Sequence, residues 1–446
     1  MGSINTICAI ASGIGQVGVG VIRVSGPHTL DIAKKMLGYK PKPRFAHYGS
    51  FFGQDAEIID KGVALFFPAP NSFTGEDVLE LQGHGGTKVM SSLLDAVITL
   101  GAIAAEPGEF SKRAFLNGKM DLVQAEAVAD LISANSRQSA RSALRSLSGE
   151  FSSKVNGIND SITELRVFVE ATIDFTDEDI DFLESHRAME KIINIENKII
   201  DILSSAKQGA ILREGLYIVI AGKPNAGKSS LLNALTLQSS AIVTDEAGTT
   251  RDILRETIHI NGMPLNIIDT AGLHLSDNKI EKEGIKRAHV EIERADVVIV
   301  VYDAQEKNAD LSILPVSVKD KPILLVKNKS DLTNESVSKS SNLDMVELTI
   351  SAKHGSGVDL LRDELARIAG FNDLGENVVL ARKRHIIALE SALSYIQNGI
   401  VQLSSSASEL LAEDLRQAGL QLGSITGEFS SDDLLGEIFS SFCIGK

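Results

Sequence analysis

Gly222-Lys223-Pro224-Asn225-Ala226-Gly227-Lys228-Ser229 reads G-x-x-x-x-G-K-S. The apolar run Leu216-Tyr217-Ile218-Val219-Ile220-Ala221 precedes it, and the helix-like Ser230-Leu231-Leu232-Asn233-Ala234-Leu235 follows. Strand, glycine-rich loop and helix in that order are the setting of a phosphate-binding loop. The glycines let backbone N–H groups curl around phosphate oxygens, and the helix N-terminus favours their charge. Asn225, Ala226, Gly227, Lys228, Ser229 and Ser230 are therefore the phosphate-site candidates. Lys228 is placed to reach the β- and γ-phosphates, and the Ser229 hydroxyl to hold Mg²⁺.

Residues further on choose the base. Asn328-Lys329-Ser330-Asp331 follows the apolar run Ile323-Leu324-Leu325-Val326. In N-K-x-D the Asp331 carboxylate accepts from the N1–H and 2-amino groups of guanine, donors that adenine lacks at those positions. Ser351-Ala352-Lys353 matches the backbone cap over that base. Asp269-Thr270-Ala271-Gly272 follows Leu265-Asn266-Ile267-Ile268 and supplies a metal-side carboxylate and the glycine facing the γ-phosphate. Thr249 and Thr250 lie between these elements, where a threonine completes the Mg²⁺ shell. Four motifs in this order imply GTP as the ligand. The residue after D-T-A-G is Leu273, which cannot orient water as a glutamine would, and no arginine is placed to neutralise the transition state in cis. Asn225 can help hold a monovalent cation between the phosphates. Glu281 is a candidate for orienting water; on residue chemistry alone it reads as a solvated helix carboxylate.

The chain has 446 residues, 43% of them hydrophobic, with a net charge of -15 and two cysteines. The length suggests roughly two to four domains. The acidic balance excludes a broadly basic nucleic-acid binder and leaves room only for local basic patches. Cys8 and Cys443 make neither a disulfide framework nor a cysteine-rich metal site, so a reducing, cytoplasmic setting is expected. With no basic-then-apolar leader and only strand-length apolar runs, no membrane span is expected.

Taken in order, residues 1–118 read as an α+β domain, with strand-like Val19–Val24 and Gly62–Phe67 and a helical pattern from Thr87 to Leu100. In Val78-Leu79-Glu80-Leu81-Gln82-Gly83-His84-Gly85-Gly86 the glycines suggest close backbone approach to a ligand, against the plainer reading of an ordinary loop and strand. Residues 119–214 are helical throughout, with Leu122, Ala125, Val128, Ala129 and Ile132 at three and four spacing. Residues 215–375 alternate strands and helices, which predicts a doubly wound sheet. Residues 376–446 are helical again, so one helical domain interrupted by a nucleotide-binding domain is the economical layout. Arg137, Arg141 and Arg145 repeat at i, i+4, i+8 with no acid between Ala134 and Leu147. Such a stripe either pairs with a neighbouring helix, Glu413 or Asp414 being candidates, or meets a polyanion. Asp174, Asp177, Glu178, Asp179 and Asp181 form an acidic run that reads as a solvated loop rather than a metal site.

These motifs, together with Pro70-Asn71-Ser72-Phe73-Thr74-Gly75-Glu76-Asp77, Glu80-Leu81-Gln82-Gly83-His84-Gly85-Gly86, Pro107-Gly108-Glu109-Phe110-Ser111, Arg113-Ala114-Phe115-Leu116-Asn117, Gly427-Glu428-Phe429 and the terminal Phe442-Cys443-Ile444-Gly445-Lys446, resemble the MnmE (TrmE) family of tRNA modification GTPases along the whole chain. The resemblance implies an N-terminal domain like the tetrahydrofolate-binding domain of one-carbon enzymes, which also dimerises. It implies a helical domain interrupted by a Ras-like P-loop G domain, and a potassium-dependent GTPase cycle in a homodimer. It further implies work on tRNA with the FAD-bearing flavoprotein MnmG in a heterotetramer, adding an aminomethyl or carboxymethylaminomethyl group at C5 of the wobble uridine. Carried over by resemblance, Arg23, Glu80, Lys119 and Lys446 contact 5-formyl- or methylene-tetrahydrofolate. Asn225, Thr244, Glu246 and Thr249 ligate K⁺, Ser229 and Thr250 serve Mg²⁺, and Glu281 becomes the water-orienting carboxylate beside Lys228 and Thr250 in catalysis. The chain departs from the family pattern at Gly13-Ile14-Gly15 and at His274.

Cys443, with no base near it in sequence, reads as a small residue in a shaped tail rather than a nucleophile. A second function class, a stand-alone regulatory GTPase switch in ribosome assembly, shares the G motifs. The folate-like N-terminal region and the Cys443–Lys446 tail favour the tRNA enzyme, because a bare switch needs neither.

Overall fold

The structure, a computed structural model, describes residues 5–13, 15–134, 136–174, 182–237, 255–260, 263–269, 289–315, 318, 321–342, 345–369, 379–405, 407–428 and 432–445. The chain divides into two compact units. One comprises residues 1–133, 144–199 and 388–446, the other residues 134–143 and 200–387.

In the first unit, β1 (Ile7–Ile10), β2 (Val17–Ser25), α1 (Thr29–Leu37), β3 (His47–Phe52), β4 (Ile58–Phe67), β5 (Val78–Gly85), α2 (Thr87–Thr99) and β6 (Ile103–Ala104) build a sheet of order β3-β4-β5-β2-β1-β6. Along β2, β4 and β5 burial alternates over most of the strand, as period-two side chains require. Ile22, Val24, Ala64, Leu79 and Leu81 face one way and meet Ile32 and Met36 of α1 and Met90, Leu93 and Val97 of α2 in a single core. The opposite face carries the register pair Arg23 and Glu80 on β2 and β5. The glycines of the β5 motif serve the protein's own packing: a Cβ on Gly83 would collide with the Asp60 carboxylate, and one on Gly85 with Val17. The Asp60 carboxylate instead accepts from the His84 amide at 2.7 Å and lies 2.8 Å from His84 Nδ1.

Helices follow: α3 (Glu109–Leu116), α4 (Leu122–Ser133), α5 (Arg137–Leu147), α6 (Glu150–Asp174), α7 (Phe182–Glu214) and α8 (Lys228–Leu237). Further along come α9 (Ser330–Thr333), α10 (Val358–Ile368), α11 (Lys383–Ser404), α12 (Ser408–Thr426) and α13 (Asp432–Ser440). α6 and α12 lie along each other. Both carry buried apolar residues at helical spacing, Val155, Ile158, Ile162 and Leu165 on one and Leu411, Leu415, Ala418, Leu422 and Ile425 on the other. Gly419 lets α12 approach Asn159 and Ile162. Truncating a leucine in such a stripe costs about 2–5 kcal/mol. Phe439 and Phe442, at the C-terminal end, pack with Leu122 and Ala125 of α4, with Phe115 of α3 beside them.

The second unit is organised by a sheet of order β12-β13-β11-β10-β7-β9-β8, formed by β7 (Leu216–Ala221), β8 (Arg255–Ile260), β9 (Met263–Asp269), β10 (Val297–Asp303), β11 (Ile323–Asn328), β12 (Ser338–Asn342) and β13 (Met345–Thr349). Strands β9, β7, β10, β11 and β13 are parallel, while β8 and β12 close the edges antiparallel. Parallel strands are covered on both faces, which explains the near-continuous apolar runs of β7 and β10. The helix-side core joins Ile218, Ile220, Ile299 and Val301 to Leu231 and Leu235 of α8 and Leu361 and Leu365 of α10. The other face gathers Val219, Ala221, Ile268, Val298 and Val300. This is the doubly wound domain expected from the alternation. From β7 the chain passes to β9 on one side and β10 on the other, and ligands bind at the carboxyl ends of strands at such a switch point. Among the described residues no helix is long and apolar enough to cross a membrane.

Candidate functional site

The loop between β7 and α8 sits at that switch point. Pro224, Asn225, Gly227, Lys228, Ser229 and Ser230, with Lys329, line a cavity of about 430 Å³. Gly222 and Gly227 have φ of 150° and 95°, the region that favours glycine. A Cβ on Gly222 would strike the Val301 carbonyl of β10, and one on Gly227 would strike the Asn328 amide. The loop is therefore glycine at these places because strand backbone and the base-reading motif crowd it from behind. Asn225 takes the left-handed conformation at φ 64°, which asparagine tolerates. Lys228 is 4% exposed, and its ammonium donates to the carbonyls of Gly222 at 2.7 Å and Lys223 at 2.9 Å. Those carbonyls fold the lysine back along its own loop, so phosphate oxygens would replace neutral acceptors with charged ones.

The base-reading motif is tied to this loop by one side chain. Asn328, 2% exposed, donates from Nδ2 to the Ala226 carbonyl and accepts at Oδ1 from the Ala352 amide, both at 3.0 Å. It thus fixes the phosphate loop against the Ser351-Ala352-Lys353 cap. Lys329 adopts φ 68°, and its ammonium pairs with Asp303 at 2.8 Å. That contact holds the Asp303 carboxyl below its usual range. Asp331 accepts at Oδ1 from the Ser351 hydroxyl at 2.5 Å, which lowers its carboxyl likewise. Its other oxygen lies 3.8 Å from His354 Nε2. An ionised Asp331 held by Ser351 is an acceptor ready for two guanine donors. Asp303 and His354 are new to the site. Asp303 closes β10 after the run Val297-Val298-Ile299-Val300-Val301-Tyr302, and a carboxylate at the carboxyl end of a buried parallel strand is itself a signal.

The cradle fits a nucleotide triphosphate. Ser229 lines the cavity with the hydroxyl that would serve Mg²⁺, and Asn225 lines it too. Asp269 ends β9. Thr244, Glu246, Thr249, Thr250, Thr270, Ala271, Gly272, Leu273, His274 and Glu281 lie outside the described residues, as does the side chain of Asp269. The same holds for Ile14, for Asp177, Glu178, Asp179 and Asp181, for the side chain of Asp174, and for Lys446.

In the N-terminal sheet, Arg23 and Glu80 meet: Nε and Nη2 donate to Glu80 Oε1 at 3.1 and 2.9 Å. The guanidinium lies over Phe73 and Phe110, 5.3 and 5.8 Å from the ring centroids. Nη1 donates to the Gly445 carbonyl at 3.4 Å, which brings the C-terminal tail to the pair. Lys119, exposed, lies against the turn at Gly75. Arg23 and Glu80 thus engage each other, and the tail adds its carbonyl to the same guanidinium. Cys443 is exposed, and its carbonyl accepts from the Gly108 amide at 3.4 Å.

Two family models match the chain. Residues 6–119 match the family model for the GTP-binding protein TrmE N-terminus, and residues 122–443 match that for the MnmE helical domain. The chain is 67% identical to the tRNA modification GTPase MnmE of Ruthia magnifica subsp. Calyptogena magnifica, over 99% of each. It is 53% identical to that of Hydrogenovibrio crunogenus and 54% to that of Haemophilus influenzae, again over 99% of each. The chain belongs to the MnmE family of tRNA modification GTPases.

Proposed function

We propose that this chain hydrolyses GTP in the β7–α8 cavity and that the turnover serves modification of tRNA at the wobble uridine. The observation that carries the nucleotide assignment is Asn328, which joins the phosphate loop to the guanine cap through two buried hydrogen bonds. Lys228 and the loop amides hold the phosphates, Ser229 and Thr250 serve Mg²⁺, and Asp331 reads the base. With Leu273 after D-T-A-G, water must be oriented by another group, and Glu281 takes that role. Asn225, Thr244, Glu246 and Thr249 would hold K⁺, whose charge stands where an arginine finger would act. Residues 1–118 act as the folate-binding and dimerisation domain, with Arg23, Glu80, Lys119 and Lys446 toward the folate. Residues 119–214 and 376–446 form the helical domain around the G domain at 215–375. The flavoprotein MnmG is the partner that supplies FAD. The test is the rate of GTP hydrolysis in K⁺ and in Na⁺. The native protein should be fast only in K⁺, and Asn225→Ala should erase the difference; equal native rates in both salts would refute the cation role.

A further inference from the structure

We infer that the outer face of α5, carried by Arg137 and Arg141, is a docking surface for the phosphate backbone of tRNA. This rests on the reading that the chain acts on tRNA. α5 packs inward through small side chains: Ser139, Ser142, Ala143 and Ser146 are buried. Its outward face carries Arg137 and Arg141, both exposed and one helical turn apart. Neither makes a hydrogen bond or an ion pair among the described residues. The third arginine of the stripe behaves differently. Arg145 is gripped by Glu150 through Nε at 2.7 Å and Nη2 at 2.6 Å, and Lys154 shares that carboxylate. Of the two expected partners, Glu413 is engaged by Arg416 and Gln417 of its own helix, and among the described residues Asp414 pairs with neither Arg137 nor Arg141. The stripe thus resolves into one structural arginine and two directed at solvent.

Chemistry selects the ligand. Like charges at i, i+4 repel each other, so the pair gains from an anion between or across them. From Leu131 to Gly149 the chain has no acidic residue, in a protein of net charge -15. An acidic chain that must approach a polyanion needs local cations free of carboxylate partners, and among the described residues Arg137 and Arg141 are two such cations. Arginine's planar fork suits phosphate oxygens in two-point contact. Ser136 and Ala140 beside the pair are too short to hold a strand away.

The experiment measures binding of unmodified tRNA by the full-length protein across a KCl series, for wild type, for Arg137→Gln/Arg141→Gln, and for a charge-matched control, Lys35→Gln/Lys198→Gln. The arginine variant should bind roughly tenfold more weakly near 0.1 M salt, and its log–log salt slope should fall by about one to two. Its melting temperature and GTP hydrolysis should equal wild type, and the lysine control should keep the wild-type slope. An unchanged slope in the arginine variant overturns the inference. So does a lowered melting temperature with an unchanged slope, which would make the arginines structural. Weakened binding to the flavoprotein with intact tRNA binding overturns it in favour of an acidic protein surface. A wild-type protein that binds no tRNA overturns the underlying reading together with this one.

Discussion

Removing the amide that joins the two halves of the nucleotide site should damage both folding and GTP affinity. Asn328→Ala deletes two hydrogen bonds at a position 2% exposed and leaves the Ala226 carbonyl and the Ala352 amide behind. Each lost neutral bond contributes about 1 kcal/mol net, and each orphaned buried partner costs about 1–3 kcal/mol unless water reaches it. Gly227 sits directly against the same amide, so the space vacated lets the phosphate loop shift. Allowing for partial rehydration, the total is about 2–4 kcal/mol, divided between the fold and the bound state. Urea denaturation of the nucleotide-free protein should show part of this as a lower midpoint. Titration with a fluorescent guanine nucleotide should show the remainder as a Kd raised by about tenfold or more, since about 1.4 kcal/mol is a factor of ten. Asn328→Asp keeps the acceptor for Ala352 but turns a second acceptor toward the Ala226 carbonyl, so it should not rescue. If midpoint and Kd both stay within about 0.5 kcal/mol of wild type, the joining role is wrong.

Glu281→Ala should lower kcat for GTP hydrolysis by about 100-fold or more with GTP affinity nearly unchanged, checked by single-turnover kinetics and nucleotide titration; lost binding would make the residue structural. Substituting Arg23 or Glu80 should weaken formyl- or methylene-tetrahydrofolate binding in calorimetry and leave GTP hydrolysis alone, and unchanged affinity in both variants would place the pocket elsewhere. Glu150 gives a pH test: hydrogen bonds from Arg145, with Lys154 adding to them, hold its carboxyl down to about 2 against burial. A carboxyl depressed by folding stabilises above its unfolded value and loses that contribution as pH falls toward the folded one. After screening at this partly exposed pair the contribution is about 1 kcal/mol. The melting difference between wild type and Glu150→Gln should therefore be full near pH ~6 and shrink between about pH 5 and about pH 2.

The parts legible in the sequence are those whose chemistry constrains neighbouring residues. The phosphate loop shows itself because Gly222 and Gly227 must lie where a side chain would strike Val301 or Asn328. The doubly wound sheet shows in apolar runs that both-sided burial demands. Contacts fixed by strand register are not written locally. Lys329 reaches Asp303 because β10 and β11 run parallel with Asp303 beside Asn328. Arg23 meets Glu80 only through the pairing of β2 with β5. Gly83 and Gly85 read in the sequence as a ligand approach or an ordinary loop and strand, and what they make room for depends on where Asp60 and Val17 lie. The arginine stripe is visible by spacing, while its division into Arg145 with Glu150 and two outward arginines requires the turn between α5 and α6.

The most direct test is nucleoside analysis of tRNA from cells that carry the chain as wild type, as a deletion, or with Lys228→Ala. Wild-type cells should contain the C5-modified wobble uridine, and both the deletion and the Lys228→Ala strain should lack it. Wobble uridines that remain fully modified in the deletion strain would contradict the account and favour a regulatory GTPase without a part in tRNA modification.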